Sequence, residues 1–455
     1  MQNNFLSKWV FSLSLFTLIL VQESVYSQST STSPFSSYGL GQRDGLDDGV
    51  YSGIGTTTIT YFDSTNLNFF NPASYHTIGK GQPIFSTGVS SRLSWYSDSI
   101  NKNFSKAIVL NHFAMGFSFA KHFGFAFGLK PFSRRGYQFS TKSLLVTDSM
   151  NYTYLGSGST SEVFVGLSSN VLKYKSSQLS IGGNVGYVFG SLINERRSNI
   201  VGSNAGGIEQ KTLKLTALHY ELGMYYKHEI NKNNSLIFSA VMEPNQNMKA
   251  VQTNDLYYSS LINNSDAYTK LDSSSISGSI SITPTSTFGF SYRYGFDGFK
   301  KSEMVKKSEI SFHASYNITN WKDNPTKFSG TNLNSGYINT NKLTLGVQYI
   351  PNKMFFDQTN KSTIFEIIRY RIGYYQYNLP MIINSKTLLD KGVTLGFGIP
   401  LKVQKSLSSI NLGLTYGKRG DGSSSNLNEK YLGVNISVIF APASFERWFV
   451  KRKLD

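Results

Sequence analysis

Large and small side chains alternate along LNHFAMGFSFAKHFGFAFGLKPFS, residues 110 to 133. Phe113, Met115, Phe117 and Phe119, then Phe123, Phe125, Phe127 and Leu129, hold the odd positions, and Ala, Gly and Ser hold most of those between. Successive side chains of a β-strand point to opposite faces, so this period of two predicts two strands joined at Lys121 and His122 with all the bulk on one side. The same alternation returns in LSIGGNVGYVFG, HYELGMYY, EISFHASYNIT, GVTLGFGIPLKV and YLGVNISVIF. Short polar connectors such as Leu172–Gln178 and Ile230–Asn234 alternate with longer Asn-, Ser- and Gly-rich ones such as Lys327–Gly336 and Lys418–Lys430.

Alternating short turns and long loops is the signature of a barrel threaded through an outer membrane. The reading is therefore an all-β chain, an antiparallel transmembrane β-barrel of about 14 strands. Starts are expected near residues 83, 108, 124, 150, 178, 208, 235, 270, 308, 336, 362, 387, 408 and 430, each within a few residues. Pro284 cannot donate to a ladder and marks a bulge or kink. Bulky faces would meet lipid, and small or polar faces would meet the lumen, where Gly and Ser leave room for a plug or a ligand. A secreted β-sandwich, whose greasy faces meet each other, has the same period. Trp95, Tyr96, Trp321 and Tyr416 are candidates for interfacial aromatic girdles, with ordinary packing as the alternative.

Composition sharpens this reading. Phe and Tyr are abundant, charged residues are 16%, and there is no Cys, which excludes disulfides, thiolate metal sites and a lipid-anchoring Cys. Lys8 precedes an apolar run, Trp9 to Val21, followed by small residues, as in a secretory signal peptide cut about Ser27/Gln28. That run is short for a membrane span, and later segments lack the roughly 18 apolar residues of a transmembrane helix. The net charge of +17 survives removal of residues 1–27, which carry one Lys and one Glu. Its basic residues are scattered, so no nucleic-acid partner is expected. The organisation expected is signal peptide 1–27, an N-terminal lumenal hatch 28–82 without sustained alternation, barrel 83–441 and a basic periplasmic tail 442–455.

No catalytic motif has convincing context: GFSFA lacks the second Gly of a nucleophile elbow, and the six His never form HExxH. No enzyme, cofactor or metal is expected. Asp44, Asp47 and Asp48 lack the spacing of a Ca²⁺ loop and read as a solvated turn. The strand register points Arg92, Arg134, His219, His313, Arg369, Arg371 and Lys402 into the lumen, where charge needs water, a plug or a partner. Arg369 and Arg371, two apart on one face, either grip a carboxylate head group or tie the hatch to the wall through Asp44 or Asp47.

Asn71-Pro72-Ala73 resembles the NPA motif in the hatch of the long-chain fatty-acid transporter (FadL-like) family. SPFSSYGLG, GLKPFSRRGY, YIPN, RYRIGYY, YGKRG and RWFVKRKLD resemble, in order and spacing, FadL-like barrels of bacteria that carry type IX secretion. The resemblance spans nearly the whole mature chain. It implies an outer-membrane location, Asn71, Pro72 and Ala73 as hatch or gate, and passive uptake of hydrophobic or amphipathic small molecules past a kinked or gapped strand into the membrane. The alternative is a non-transporting, protein-handling barrel of the PorV-like kind. Expected partners are outer-membrane lipid, a hydrophobic small-molecule ligand, and secretion-system proteins. A continuous apolar tunnel beside a wall gap would favour uptake, and an occluded lumen with a broad extracellular rim would favour protein handling.

Overall fold

The computed structural model describes residues 33–442 except 38, 44–47, 80–81, 100, 121, 145–147, 302–303, 323–326, 329–330, 333–336, 354–362, 384, 402–405, 407 and 424–425. Strand periodicity becomes one antiparallel sheet: β1 (Ile84–Ser97), β2 (Lys102–Ala120), β3 (Phe123–Arg134), β4 (Tyr137–Leu144), β5 (Ser149–Tyr174), β6 (Ser177–Ile200), β7 (Gly206–Glu229), β8 (Asn234–Glu243), β9 (Gln246–Ser259) and β10 (Tyr268–Ile282). It continues through β11 (Thr285–Lys301), β12 (Met304–Thr319), β13 (Lys327–Phe328), β14 (Thr331–Asn332), β15 (Thr340–Ile350), β16 (Arg369–Ile383), β17 (Lys386–Pro400), β18 (Ser409–Gly420) and β19 (Asn428–Phe440).

Three couples are single staves interrupted once. β3 and β4 both pair with β5, β8 and β9 both pair with β7, and β10 and β11 pair with β9 and β8. The short β13–β14 hairpin touches β10 at Ile280↔Phe328. Fourteen staves result, and β1 closes on β19 from Phe85↔Phe440 to Ser97↔Asn428. The interruption before Pro284 lies beside the one at Pro244, since Ile282 pairs with Gln246 and Thr285 with Glu243. Two missing N–H donors at one height break two neighbouring staves together.

The bulky face does point outward: Phe113, Phe123 and Phe127 are exposed, while Ala114 and Ala126 are buried against the hatch. Most expected strand starts fall within a few residues of those observed, and the expectation of 108 for β2 misses by six. A bulge after Gly88 pairs Gly88 with His112 and Val89 with Leu110, so Asn111 is skipped and the outward parity switches from odd to even. Period-two reading loses the strand there. The expected start at 362 misses because a helical turn, Ile364–Ile367, precedes β16.

Two further expectations are corrected. Tyr96 and Trp321 are not girdle residues: the Tyr96 hydroxyl donates to Glu429, and Trp321 Nε1 donates to Thr340 Oγ1 in the lumen. Trp95 and Tyr416 do lie exposed on the outside. Nor is connector length a reliable marker of side, because the sequence between β16 and β17 spans only 384–385 while the opposite end carries 351–368 between β15 and β16. Length at the far end is instead taken up by strand.

β5, β6 and β7 run 26, 24 and 24 residues, against about 9–11 needed to cross a bilayer. Together with β4, β9 and β10 they raise a curved sheet, here called the wing, beyond one side of the barrel mouth. At about 3.3 Å per residue the surplus reaches on the order of 40 Å.

Inside the barrel the described hatch residues, from Ser33 to Gly79, form turns rather than strands, with short helical turns at Pro34–Ser37, Ser52–Ile54 and Pro72–Thr77. Val50, Tyr51, Ile54, Tyr61, Leu67, Phe69, Tyr75 and Ile78 bury their side chains against Ile84, Ala114, Ala126, Phe164 and Ile439 of the wall. The molecule's main apolar core is thus the hatch itself. A second cluster above it gathers Leu40, Phe132, Val188, Leu192, Leu215, Met248, Ile280 and Phe328.

Candidate functional site

The lumenal glycines explain how the hatch fits. A Cβ on Gly373 would lie 2.1 Å from Gly55 N, one on Gly124 2.1 Å from the Tyr75 carbonyl carbon, and one on Gly182 2.5 Å from the Pro72 carbonyl carbon. On β17, the strand beside that of Gly373, a Cβ on Gly396 would lie 2.8 Å from Gly53 Cα. Hatch backbone touches wall backbone on several sides, which only residues without side chains permit. Asn71 caps its helical turn by accepting from Ala73 N at 3.1 Å and donates to the Ile59 and Met224 carbonyls. Pro72 fills the space over Gly182 and Gly223, and Ala73 is fully buried.

Polar ties reinforce this fit. Arg369 holds Asp63 at 2.7 Å and Thr65 Oγ1 at 3.0 Å, so its hatch partner is Asp63; Asp44 and Asp47 lie outside the described residues. Burial alone would raise the Asp63 carboxyl, but Arg369, the Thr65 N–H and Arg293 hold it below the ordinary carboxylate range. Arg371 donates to Gln348 at 2.7 Å, Asn411 at 3.1 Å and the Tyr61 hydroxyl at 3.4 Å. His313 shares hydrogen bonds with Thr60 Oγ1 and Ser311 Oγ. Asp48 is buried, accepts from Val50 N, and lies 3.4 Å from His112, rather than in a solvated turn. His76 of the hatch meets the Ala73 carbonyl, Gln178 and Ser180, and burial pushes its imidazole from 6.5 down to about 4.

Two charge networks sit above the hatch. In one, Arg419 grips Asp390 at 2.7 Å and lies 3.6 Å from Glu429, Arg92 approaches Glu429 at 3.2 Å, and Tyr431 donates to Asp390 at 2.7 Å. Arg419 and Glu429 also hold the Ser33 hydroxyl, anchoring the start of the hatch. In the other, His219 lies between Glu162 at 3.1 Å and Glu243 at 2.8 Å, Arg43 of the hatch makes a two-pronged bond to Glu243, and Lys130 reaches Glu221 at 2.9 Å. Glu162, His219 and Glu221 come close enough together to surround a metal ion, but Lys130 already lies 3.6 Å from Glu162 and supplies the counter-charge.

These placements put Arg92, Arg134, His219, His313, Arg369 and Arg371 inside the barrel, divided among separate clusters; Lys402 lies outside the described residues. Sequence reading missed Lys130, Glu162, Glu221 and Asp390. The signal was present: Glu162 and Glu221 occupy the small-residue parity of their strands, which the greasy parity excludes.

Among the described residues β10 from Tyr268 to Ser279 pairs only with β9, at the far edge of the wing, and the wall itself parts between β2 and β4. β2 pairs with β3 only from Phe113↔Leu129 to Ala120↔Phe123. Above that rung Lys102 to His112 pairs on one side alone, with β1, and β4 pairs on one side alone, with β5. Pro131 and the bulge before Ser133 mark where the staves part. The hatch fills the lowest part of this seam: Gln42 and Arg134 exchange both backbone hydrogen bonds, at 2.8 and 2.9 Å, and the Ser36 hydroxyl bonds Gly136 N and O.

Behind the seam lies a cavity of about 400 Å³, reaching Ala107, Val109 and Arg134. Its walls include Arg43, Arg92, Lys342, Asp390 and Arg419 among Tyr337, Tyr375, Tyr377 and Trp321. A neighbouring cavity of about 280 Å³ is lined by Lys130, Glu162, Glu221 and Glu243. Apolar side chains, among them Phe35, Leu40, Val109, Ile282, Leu379 and Met381, also line the larger cavity, so charged groups and apolar surface share it. On β5 the outward residues beside the paired rungs are Val163, Val165 and Leu167, whereas beside the seam they are Ser157, Ser159 and Ser161. The apolar belt ends at the start of the seam on β5, whereas on β1 and β2 Leu110, Ile108, Phe104 and Trp95 carry it higher.

A closed antiparallel barrel of fourteen staves, its lumen filled by its own N-terminal segment, is the FadL-like β-barrel fold. Solved structures share that fold: the toluene transporter TodX of P. putida at TM-score 0.53 and 15% identity, over 88% of this chain and 99% of that one. The CymD monoaromatic hydrocarbon channel follows at TM-score 0.51 and 11% identity, over 90% and 99%. At these identities the likeness speaks for the fold alone. Within that class the chain belongs to the BamG family, whose profile matches residues 10–455. No curated protein matches the sequence.

Proposed function

We propose that this chain is a non-conducting outer-membrane barrel that handles or scaffolds other proteins at the membrane's outer face, with the wing as its working surface. The observation that carries this reading is the length of β5, β6 and β7, roughly twice what a bilayer requires. On the side of the wing that faces the barrel axis, Tyr137, Phe139 and Tyr154 stack in a row, with ring centroids 5.6 and 5.0 Å apart, and Phe139 is exposed. Aromatic rings on a rigid sheet are economical anchors for a partner protein. The backbone-tight hatch adds support, since Gly-to-backbone contacts on several sides leave little room for passage between hatch and wall. Envelope proteins of the secretion kind are the partner class that the sequence resemblance implies.

The test is to replace residues 194–213, the outer thirds of β6 and β7, with a two-residue turn and compare with deletion of the whole gene. The barrel should still insert, while the amount of envelope protein displayed at the cell surface falls to the level of the deletion strain. A shortened protein that restores everything would overturn the reading. One observation favours passive uptake of hydrophobic or amphipathic molecules instead: the cavity that backs onto the seam. On that reading the deletion strain alone loses growth on a hydrophobic carbon source, and wing removal changes nothing.

A further inference from the structure

We infer that the open edge of β4, facing the upper part of β2, is a strand-addition site that takes an extended, acidic segment of a partner protein. This rests on the protein-handling reading above and names the mode of contact. β4 pairs only with β5, and residues 102–112 of β2 pair only with β1, so two strand edges face one another without partners among the described residues. Gln138 to Leu144 is exposed on both faces, and its outward residues Gln138, Ser140 and Lys142 are polar, unlike the apolar outward residues lower on the wall, which sets this edge above the membrane belt. Exposed edges of this length are normally covered or interrupted, because their unpaired N–H and C=O groups recruit other strands.

The molecule itself performs this pairing one step lower. There the hatch lends Gln42 to Arg134 as an antiparallel bridge with both backbone bonds made. A partner strand entering above would continue that line. Charge selects the partner: residues 102–112 and 137–144 carry Lys102, Lys106 and Lys142 and no Asp or Glu. A second copy of this chain would bring lysines against lysines, whereas an acidic segment would meet them favourably.

Amide hydrogen exchange on the full chain, in native outer-membrane vesicles and in detergent, tests the inference. In detergent, alternate amides of residues 137–144 should exchange freely, those bonded to β5 being slow. In vesicles the free set should slow at least tenfold. Benzoylphenylalanine placed singly at Ser140, Thr141 and Lys142 should then crosslink, in step, to successive residues of one acidic peptide, while the same group at Phe312 on the lipid-facing wall should not. Free exchange in vesicles, adducts to lipid, or adducts to a second copy of this chain would each overturn strand addition. Loss of the ladder with a wing truncation that still reproduces the deletion phenotype sinks this inference alone; an intact ladder with a silent truncation sinks the wing reading alone.

Discussion

At the scale of single residues, the wall glycines and the hatch's ionisable groups are the parts most open to test. Gly373→Val drives a side chain into Gly55, and overpacking of this kind costs about 1–3 kcal/mol. The expected result is a barrel that still runs as a folded, heat-modifiable species but whose hatch is cut by protease; Gly433→Ala, where the nearest atom lies 3.4 Å away, should be silent. Acid should loosen the hatch in two stages. His76 is held neutral, so the unfolded chain takes up a proton from 6.5 downward while the folded chain waits until about 4, removing about 3 kcal/mol across that window. Asp63 has a depressed folded value, so its contribution is present above the ordinary carboxylate range and disappears as pH falls through that folded value. Protease sensitivity measured from pH 7 to 3 should show both stages, and His76→Gln should flatten the first. These residues were legible only in part. Arg369 stood out because charge on the small-residue parity must be satisfied inside, but Asp63 sits in a turn without periodicity and nothing in its neighbours announced the pairing.

At the scale of elements, the interruption of the third stave matters most. Gln42→Pro removes the N–H that reaches Arg134 O at 2.8 Å, a loss of about 1 kcal/mol. Exchange of the Arg134 amide should accelerate and the lower seam should open, while β5 and β6, which are paired throughout, should keep their protection. If Arg134 exchanges as before, the hatch does not close the seam in solution. Element type and number were readable because a half-lipid, half-lumen strand must alternate. The bulge at Asn111 was not, because one extra residue reverses the parity and a period-two reading sees only noise.

At the scale of the whole molecule, the barrel of fourteen staves is filled by its own chain. In planar bilayers the intact protein should stay near background conductance, and removal of residues 49–78 should produce large, steady openings. Open conductance from the intact chain would contradict the non-conducting reading. The same measurement with a hydrocarbon-loaded membrane would separate a sideways route from a sealed one.

By itself the sequence determined the class of architecture: alternation, glycine-rich inner faces and the lack of a helical span leave strands as the way through a bilayer, since lipid offers no partner for an open backbone. Only the tertiary structure decided that the hatch meets the wall backbone to backbone, that the charges are satisfied in separate clusters, and that one side rises far above the mouth. Those are matters of which distant residues become neighbours. A local period records which face a side chain takes, but it carries no information about what stands opposite.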